Sequence, residues 1–249
     1  EASFRYYWER AHPDAGMALE CVPGDEHLIA LGASGFGITA LPVAVERGFV
    51  TREAAVARLG KILAFLDRAD RFHGVWPHFL DGRDGKVIPL FGPFDNGGDL
   101  VETSFLMQGL LTARQYFDRD TPEERDLRAT ITRLWEEVEW DWYRNPADPD
   151  FLMWHWSPTA GFHINHPLIG WNETMINSTE STIVPSKSKT TAEKGGAEPV
   201  APISYSGPIV TDEFQFGDAG RVGTSSRAGL RPAPRRCAPT LPAGPRSFG

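Results

Sequence analysis

Cysteine is scarce: Cys21 and Cys237 are the two in 249 residues, too few for a disulfide framework or a thiolate metal site. Long apolar runs are missing as well, so no segment reads as a membrane span. Positive charge is in deficit, with 25 Lys and Arg against 33 Asp and Glu and a net charge of -8. Neutralising phosphates requires a basic surface, so nucleic acid is not the expected partner and a neutral ligand fits better. The sequence opens at Glu1 without a basic start and apolar stretch, so any signal peptide is expected to have been removed or never included. Hydrophobic residues at 41% and charged residues at 23% are those of an ordinary globular protein.

Composition changes sharply along the chain. All eight Trp fall between Trp8 and Trp171, while residues 178–249 hold none and contain nine of the twenty Pro. That tail carries nine Lys and Arg against six Asp and Glu, where the preceding part carries sixteen against twenty-seven. Stretches such as Ser186-Lys187-Ser188-Lys189-Thr190-Thr191 offer too little apolar surface to offset the entropy of ordering them. A folded region over residues 1–177 followed by a low-complexity tail over 178–249, disordered or read out of frame, is the expectation.

Within the first part the period is helical. After Thr51, a plausible N-cap by residue type, Ala55, Leu59, Ile62, Leu63 and Leu66 form one stripe, with Arg52, Glu53, Arg58 and Lys61 elsewhere. Residues 100–117 are apolar most of the way round, as in a helix buried on several sides. Residues 35–46 are similarly apolar, with Pro42 either kinking the helix or lying near its first turn. A charged helix is expected from Pro122 to about Trp140, with Leu127, Ile131, Leu134, Trp135 and Val138 facing inward. Buried and amphipathic helices thus alternate, which suits an inner ring wrapped by an outer ring. No period-two strand series or βαβ rhythm is present, so the fold class is all-α.

Two loops carry chemistry. In Phe94-Asp95-Asn96-Gly97-Gly98-Asp99-Leu100-Val101-Glu102, two carboxylates four apart flank a Gly-Gly turn before a buried helix. Asp99 with Glu102 also reads as a capping box and Asp95 as an Asx-type turn former, and a cap can still face a substrate. The second loop runs from Trp154-His155-Trp156-Ser157-Pro158 to Gly170-Trp171-Asn172-Glu173. Aromatics interleaved with amides and carboxylates suit a sugar, whose C–H faces need flat rings and whose hydroxyls need polar partners. Glu173 in that aromatic setting suits a general acid. Trp135, Trp140 and Trp142 are assigned to the core. Gly35-Phe36-Gly37-Ile38-Thr39-Ala40 fits a dinucleotide fingerprint, but Pro42 and the missing βαβ unit make close helix packing the better use of its glycines. Ser34 lacks the closing glycine of a nucleophile elbow, and His163 with His166 lacks a third ligand, so no metal site is assigned.

These residues, with Tyr6-Tyr7-Trp8, Ala11-His12-Pro13, Glu46-Arg47-Gly48-Phe49, Arg71-Phe72-His73-Gly74-Val75-Trp76-Pro77-His78 and Gln108-Gly109-Leu110-Leu111, resemble the glycoamylase-like family that includes bacterial endo-β-1,2-glucanases of glycoside hydrolase family 144. The resemblance covers residues 4–177. It implies an (α/α)6 barrel that cleaves β-1,2-glucan internally with inversion and no cofactor, in a periplasmic or secreted protein. By position it implies that Asp95, Asp99 and Glu173 are the acidic residues needed for activity. It further places Trp76, His78, Trp154, His155, Trp156, Trp171 and Asn172 along the glucan. After Ile176 the resemblance ends, so an incomplete barrel is expected, exposing apolar surface on the helix at 100–117. A non-catalytic glucan-binding fragment and a transglycosylase related to cyclic glucan synthesis remain as alternatives.

Overall fold

The computed structural model describes residues 1–168. The expected tail, together with Trp171, Asn172 and Glu173, lies outside the described residues. Within them the chain is mostly helical, with short strands at the loop ends of the helices. The elements are α1 (Ala2–Glu9), β1 (Leu28–Ala30), α2 (Leu31–Glu46), α3 (Arg52–Leu66), β2 (Phe79–Asp81), β3 (Gly98–Asp99), α4 (Leu100–Tyr116), α5 (Pro122–Glu136), a 3-10 turn (Trp140–Tyr143), β4 (Leu152–Met153), β5 (His155–Trp156) and β6 (Pro167–Leu168).

Helix α3 starts where its sequence says, because the Thr51 hydroxyl accepts the Ala54 amide at 3.1 Å and so satisfies one of the unpaired donors of the first turn. Thr121 caps α5 in the same way, taking the Glu124 amide at 3.3 Å. The two amphipathic helices are then joined by a nearly buried ion pair. Arg52 donates to Glu124 through Nε at 2.7 Å and through Nη2 at 2.9 Å. The Arg119 amide adds a third hydrogen bond to the same carboxylate at 2.8 Å, so neither buried charge is left uncompensated. The helix expected to reach Trp140 ends at Glu136, and Trp140 begins a separate 3-10 turn.

Helices α2 and α4 form the inner pair. Helix α2 begins four residues earlier than its sequence pattern suggests, running straight out of β1, and Pro42 lies well inside it. Its contact with α4 is set by glycine on both sides. A Cβ on Gly35 would strike the Phe105 carbonyl, and one on Gly109 would strike the Gly35 carbonyl. The glycines of the fingerprint-like segment therefore permit backbone-to-backbone packing. Ile38 and Leu41 of α2 and Leu106, Met107 and Leu110 of α4 belong to the same buried core. The apolar surface expected to stand open on α4 is instead found on α2, where Phe36 and Val43 are exposed along one stripe; the large apolar residues of α4 are buried or half-buried.

Strand pairing brings the loops together at one end of this helix pair. β1 pairs antiparallel with β2, Ala30 opposite Phe79, and β3 pairs antiparallel with β5, Asp99 opposite His155. Of Gly97 and Gly98, read from sequence as a turn, Gly97 is a bend and Gly98 the first residue of β3. A Cβ on Gly97 would meet the Trp156 carbonyl, and one on Gly98 the Tyr143 hydroxyl.

Gly35→Ala and Gly109→Ala should each destabilise the chain by about 3 kcal/mol, since the obstructing atoms are backbone and cannot move aside. Gly60→Ala, where the nearest atom to the new methyl is Leu127 Cδ2 at 3.9 Å, should be stabilising by about 0.5–1 kcal/mol through helix propensity. Urea unfolding of the three variants checks the contrast.

Candidate active site

Three chain segments meet at the N-terminus of α4. The Asp99 amide donates to the Trp76 carbonyl at 2.9 Å and the Leu100 amide to the Trp154 carbonyl at 2.8 Å. On the other side, the Leu31 amide at the start of α2 donates to the His78 carbonyl at 3.1 Å. The side chains of His78, Asp95, Asp99, Glu102, Trp154 and His155 are thereby gathered around one polar centre.

Asp99 is its hub. Its Oδ1 accepts the Glu102 amide at 2.9 Å, which makes it the N-cap of α4. Its Oδ2 accepts the Trp154 indole N–H at 2.9 Å and lies 3.2 Å from His78 Nδ1. Glu102 does not close the capping box expected from sequence. The Asp99 amide is already used by Trp76, so the Glu102 carboxylate reaches across to α2, where Oε2 accepts the Gly32 amide at 2.7 Å. Its Oε1 stands 3.8 Å from His78 Nε2. The His78 imidazole thus bridges two carboxylates of one helical turn. Burial pulls it down, but the Asp99 hydrogen bond, with the charges of Asp99, Glu102 and Asp95, outweighs burial and raises its pKa.

Asp95 is buried beside this group. It does not form the forward Asx turn expected; its Oδ2 accepts the amide of Phe91, four residues back, at 3.1 Å. Burial, aided by the Asp99 charge, raises its pKa against the opposing Phe91 amide and His78. Glu102 is raised as well, chiefly by burial, with the Asp99 charge adding to it. Two carboxyls of the centre therefore hold protons more readily than ordinary ones, which suits them to acid work. His155 is 3% exposed, and among the described residues neither ring nitrogen has a hydrogen-bond partner. Its Nε2 lies 3.8 Å from Asp95 Oδ1, and burial keeps its pKa low.

The sugar-contacting residues expected from sequence divide. His78 and Trp154 are half-buried at the centre. Trp156 is half-buried to one side, edge-on to His73 and Trp142. His155 is buried behind Asp95 and presents no face to a ligand. Trp76 must be corrected: its ring has no exposed surface, its Nε1 donates to the Leu66 carbonyl at 3.2 Å, and Arg71 stacks on it at 4.4 Å. It is a core tryptophan because its own backbone forms the wall of the site and turns the side chain inward. Trp142, assigned to the core, is 45% exposed and stacks on His73 at 3.5 Å. His163 and His166 are exposed, against Phe94 and Trp154 respectively. Trp171, Asn172 and Glu173 lie outside the described residues. Two contributors were not singled out from sequence: Glu102, visible as a capping partner but not as a tie to α2, and the Gly32 amide, which has no side-chain signal.

Asp99→Ala removes the cap and leaves Trp154 Nε1 and a half-buried His78 without their acceptor, so a loss of about 2–4 kcal/mol is expected in urea unfolding. Asp99→Asn, which keeps a carbonyl acceptor, should lose less. The raised folded pKa of His78 fixes a sign. Its contribution to stability is fully present below about 6.5, the unfolded value, and disappears as pH rises through the folded pKa. The stability difference between wild type and His78→Gln should therefore shrink from pH 6 to pH 8; a difference that grows over that range contradicts the bridge.

No family model matches the chain. A curated relative from Parabacteroides distasonis, an exo-β-1,2-glucooligosaccharide sophorohydrolase acting at the non-reducing end, is 58% identical over 176 residues. These are 71% of this chain and 24% of the relative, so the chain spans about a quarter of the length of the curated relative it matches. The crystal structure of a β-1,2-glucanase from the same organism superposes with a TM-score of 0.70 at 56% identity, over 74% of this chain and 26% of that one. An endo-β-1,2-glucanase from Chitinophaga pinensis, solved with sophorotriose and glucose, superposes with a TM-score of 0.68 at 47% identity, over 74% of this chain and 45% of that one. Identity at this level, over a segment that includes both loops of the polar centre, means that the chain is homologous to a part of these β-1,2-glucan-cleaving enzymes.

Proposed function

We propose that this chain acts as a glycoside hydrolase on β-1,2-linked glucan, within an (α/α)6 barrel of which the described helices are a part. The observation that carries this reading is the Asp95, Asp99, Glu102 and His78 cluster at the mouth of the inner helix pair, in a chain that over 71% of its length is 58% identical to an enzyme named for that substrate. The chemistry is hydrolysis with inversion. A carboxylate takes a proton from water as its oxygen attacks the anomeric carbon, and a carboxylic acid gives a proton to the departing glycosidic oxygen. Glu173 and Asp99 are proposed as this pair and Asp95 as the residue that orients water or sugar. Asp99, with its oxygens already fixed by Glu102 and Trp154, suits the role of a rigidly aimed carboxylate. No cofactor is invoked, and a periplasmic or secreted location belongs to the same proposal. One relative is named as exo-acting and another as endo-acting, so product length decides whether cleavage is internal.

Linear β-1,2-glucan incubated with the chain should release reducing ends whose first-formed anomer, read by NMR, is opposite to that of the substrate. Asp99→Asn should lower the rate by about a hundredfold or more. Retained configuration would point to the transglycosylase alternative, and retention on glucan without any cleavage to a binding fragment.

A further inference from the structure

Among the large hydrophobic residues described, Phe91 is the most exposed, at 72%, yet it is firmly held. Its backbone N–H is taken by the buried Asp95 carboxylate at 3.1 Å. Its ring stands edge-on to His78, with centroids 5.1 Å apart, and to Phe79 at 5.5 Å. Both neighbours contact the ring at steep angles, 86° and 64°, so neither covers it by stacking. A phenyl ring that finds no place in a core but is fixed at its backbone by a catalytic-site carboxylate, and at its edge by the central imidazole, is arranged for contact with a ligand.

The ligand that suits this juxtaposition is amphiphilic. A β-glucosyl unit presents axial C–H groups on its faces and hydroxyls around its rim, matching an aromatic face beside His78 and the Asp95 carboxylate. We propose that Phe91 is the stacking platform of a glucosyl subsite next to the Asp95 and Asp99 centre, and that Asp95 positions this platform through the Phe91 amide. The proposal rests on the reading of the chain as a β-1,2-glucan enzyme. It gives Asp95 a task in placing the substrate that is separate from proton transfer, and it makes Phe91 a determinant of affinity rather than of chemistry.

Calorimetric titration of the full chain with a short linear β-1,2-glucooligosaccharide, alongside KM and kcat on the same sugar, tests it. Phe91→Ala should weaken binding and raise KM about three- to tenfold, with kcat within about twofold of wild type. Phe91→Trp should restore affinity, a rescue that a residue acting only in local folding would not show. Val43→Ala, on the exposed stripe of α2, should bind as wild type. Wild-type affinity in Phe91→Ala, in a chain that does bind the sugar, overturns the subsite while leaving the hydrolase reading intact. A wild-type chain that neither binds nor cleaves the sugar overturns the functional reading and the subsite with it.

Discussion

The Asp99 carboxylate ties the backbone of one helix to two loops that are distant in sequence. Its oxygens accept the first-turn amide of α4, accept the indole N–H of Trp154, and face the imidazole of His78. Without that acceptor the α4 N-terminus would be uncapped, the loop after β4 would lose its side-chain anchor, and His78 would face Glu102 alone. Because the side chain is only 4% exposed, water cannot replace these partners cheaply. Cap and candidate catalytic group are therefore one residue, and the geometry that stabilises the helix also aims the carboxylate.

That arrangement depends in turn on how closely α2 and α4 approach. Glycine at 35 and 109 lets the two backbones touch, and this proximity carries the first turn of α2 over the first turn of α4. The Gly32 amide can then serve the Glu102 carboxylate directly, where a Cβ at position 32 would strike the same oxygen. One set of small residues fixes the helix pair, and the helix pair fixes the distance across the site. His78 stands between Asp99 and Glu102 and its pKa is raised by them against burial, while burial also raises those of Asp95 and Glu102.

Features set by local interactions were legible in the sequence. The Thr51 cap and the α3 stripe follow from residues within four positions of each other, and the all-round apolar character of residues 100–117 marks α4 as internal. The start of α2 was not, since it leaves β1 without a polar cap and its first residues carry no amphipathic signal. Asp99 could be read as a cap and as a catalyst from the same pattern, and its hydrogen bond to the Glu102 amide makes it the cap. Trp76 and Trp142 were misassigned in opposite directions because side-chain facing in an irregular loop is decided by backbone pairing, not by residue type. Phe91 stood out least of all: an aromatic residue in a Pro-Leu-Phe-Gly-Pro loop looks like ordinary packing until the Asp95 contact fixes where it stands.

The claim that one carboxylate couples the helix to the Trp154 loop is tested most directly by a double-mutant cycle on Asp99→Asn and Trp154→Phe, read by urea unfolding. Residues joined through a shared buried hydrogen bond should show an interaction energy of about 1–2 kcal/mol. Losses that simply add, to within about 0.3 kcal/mol, would mean that the two residues are neighbours without being coupled, and would contradict the account.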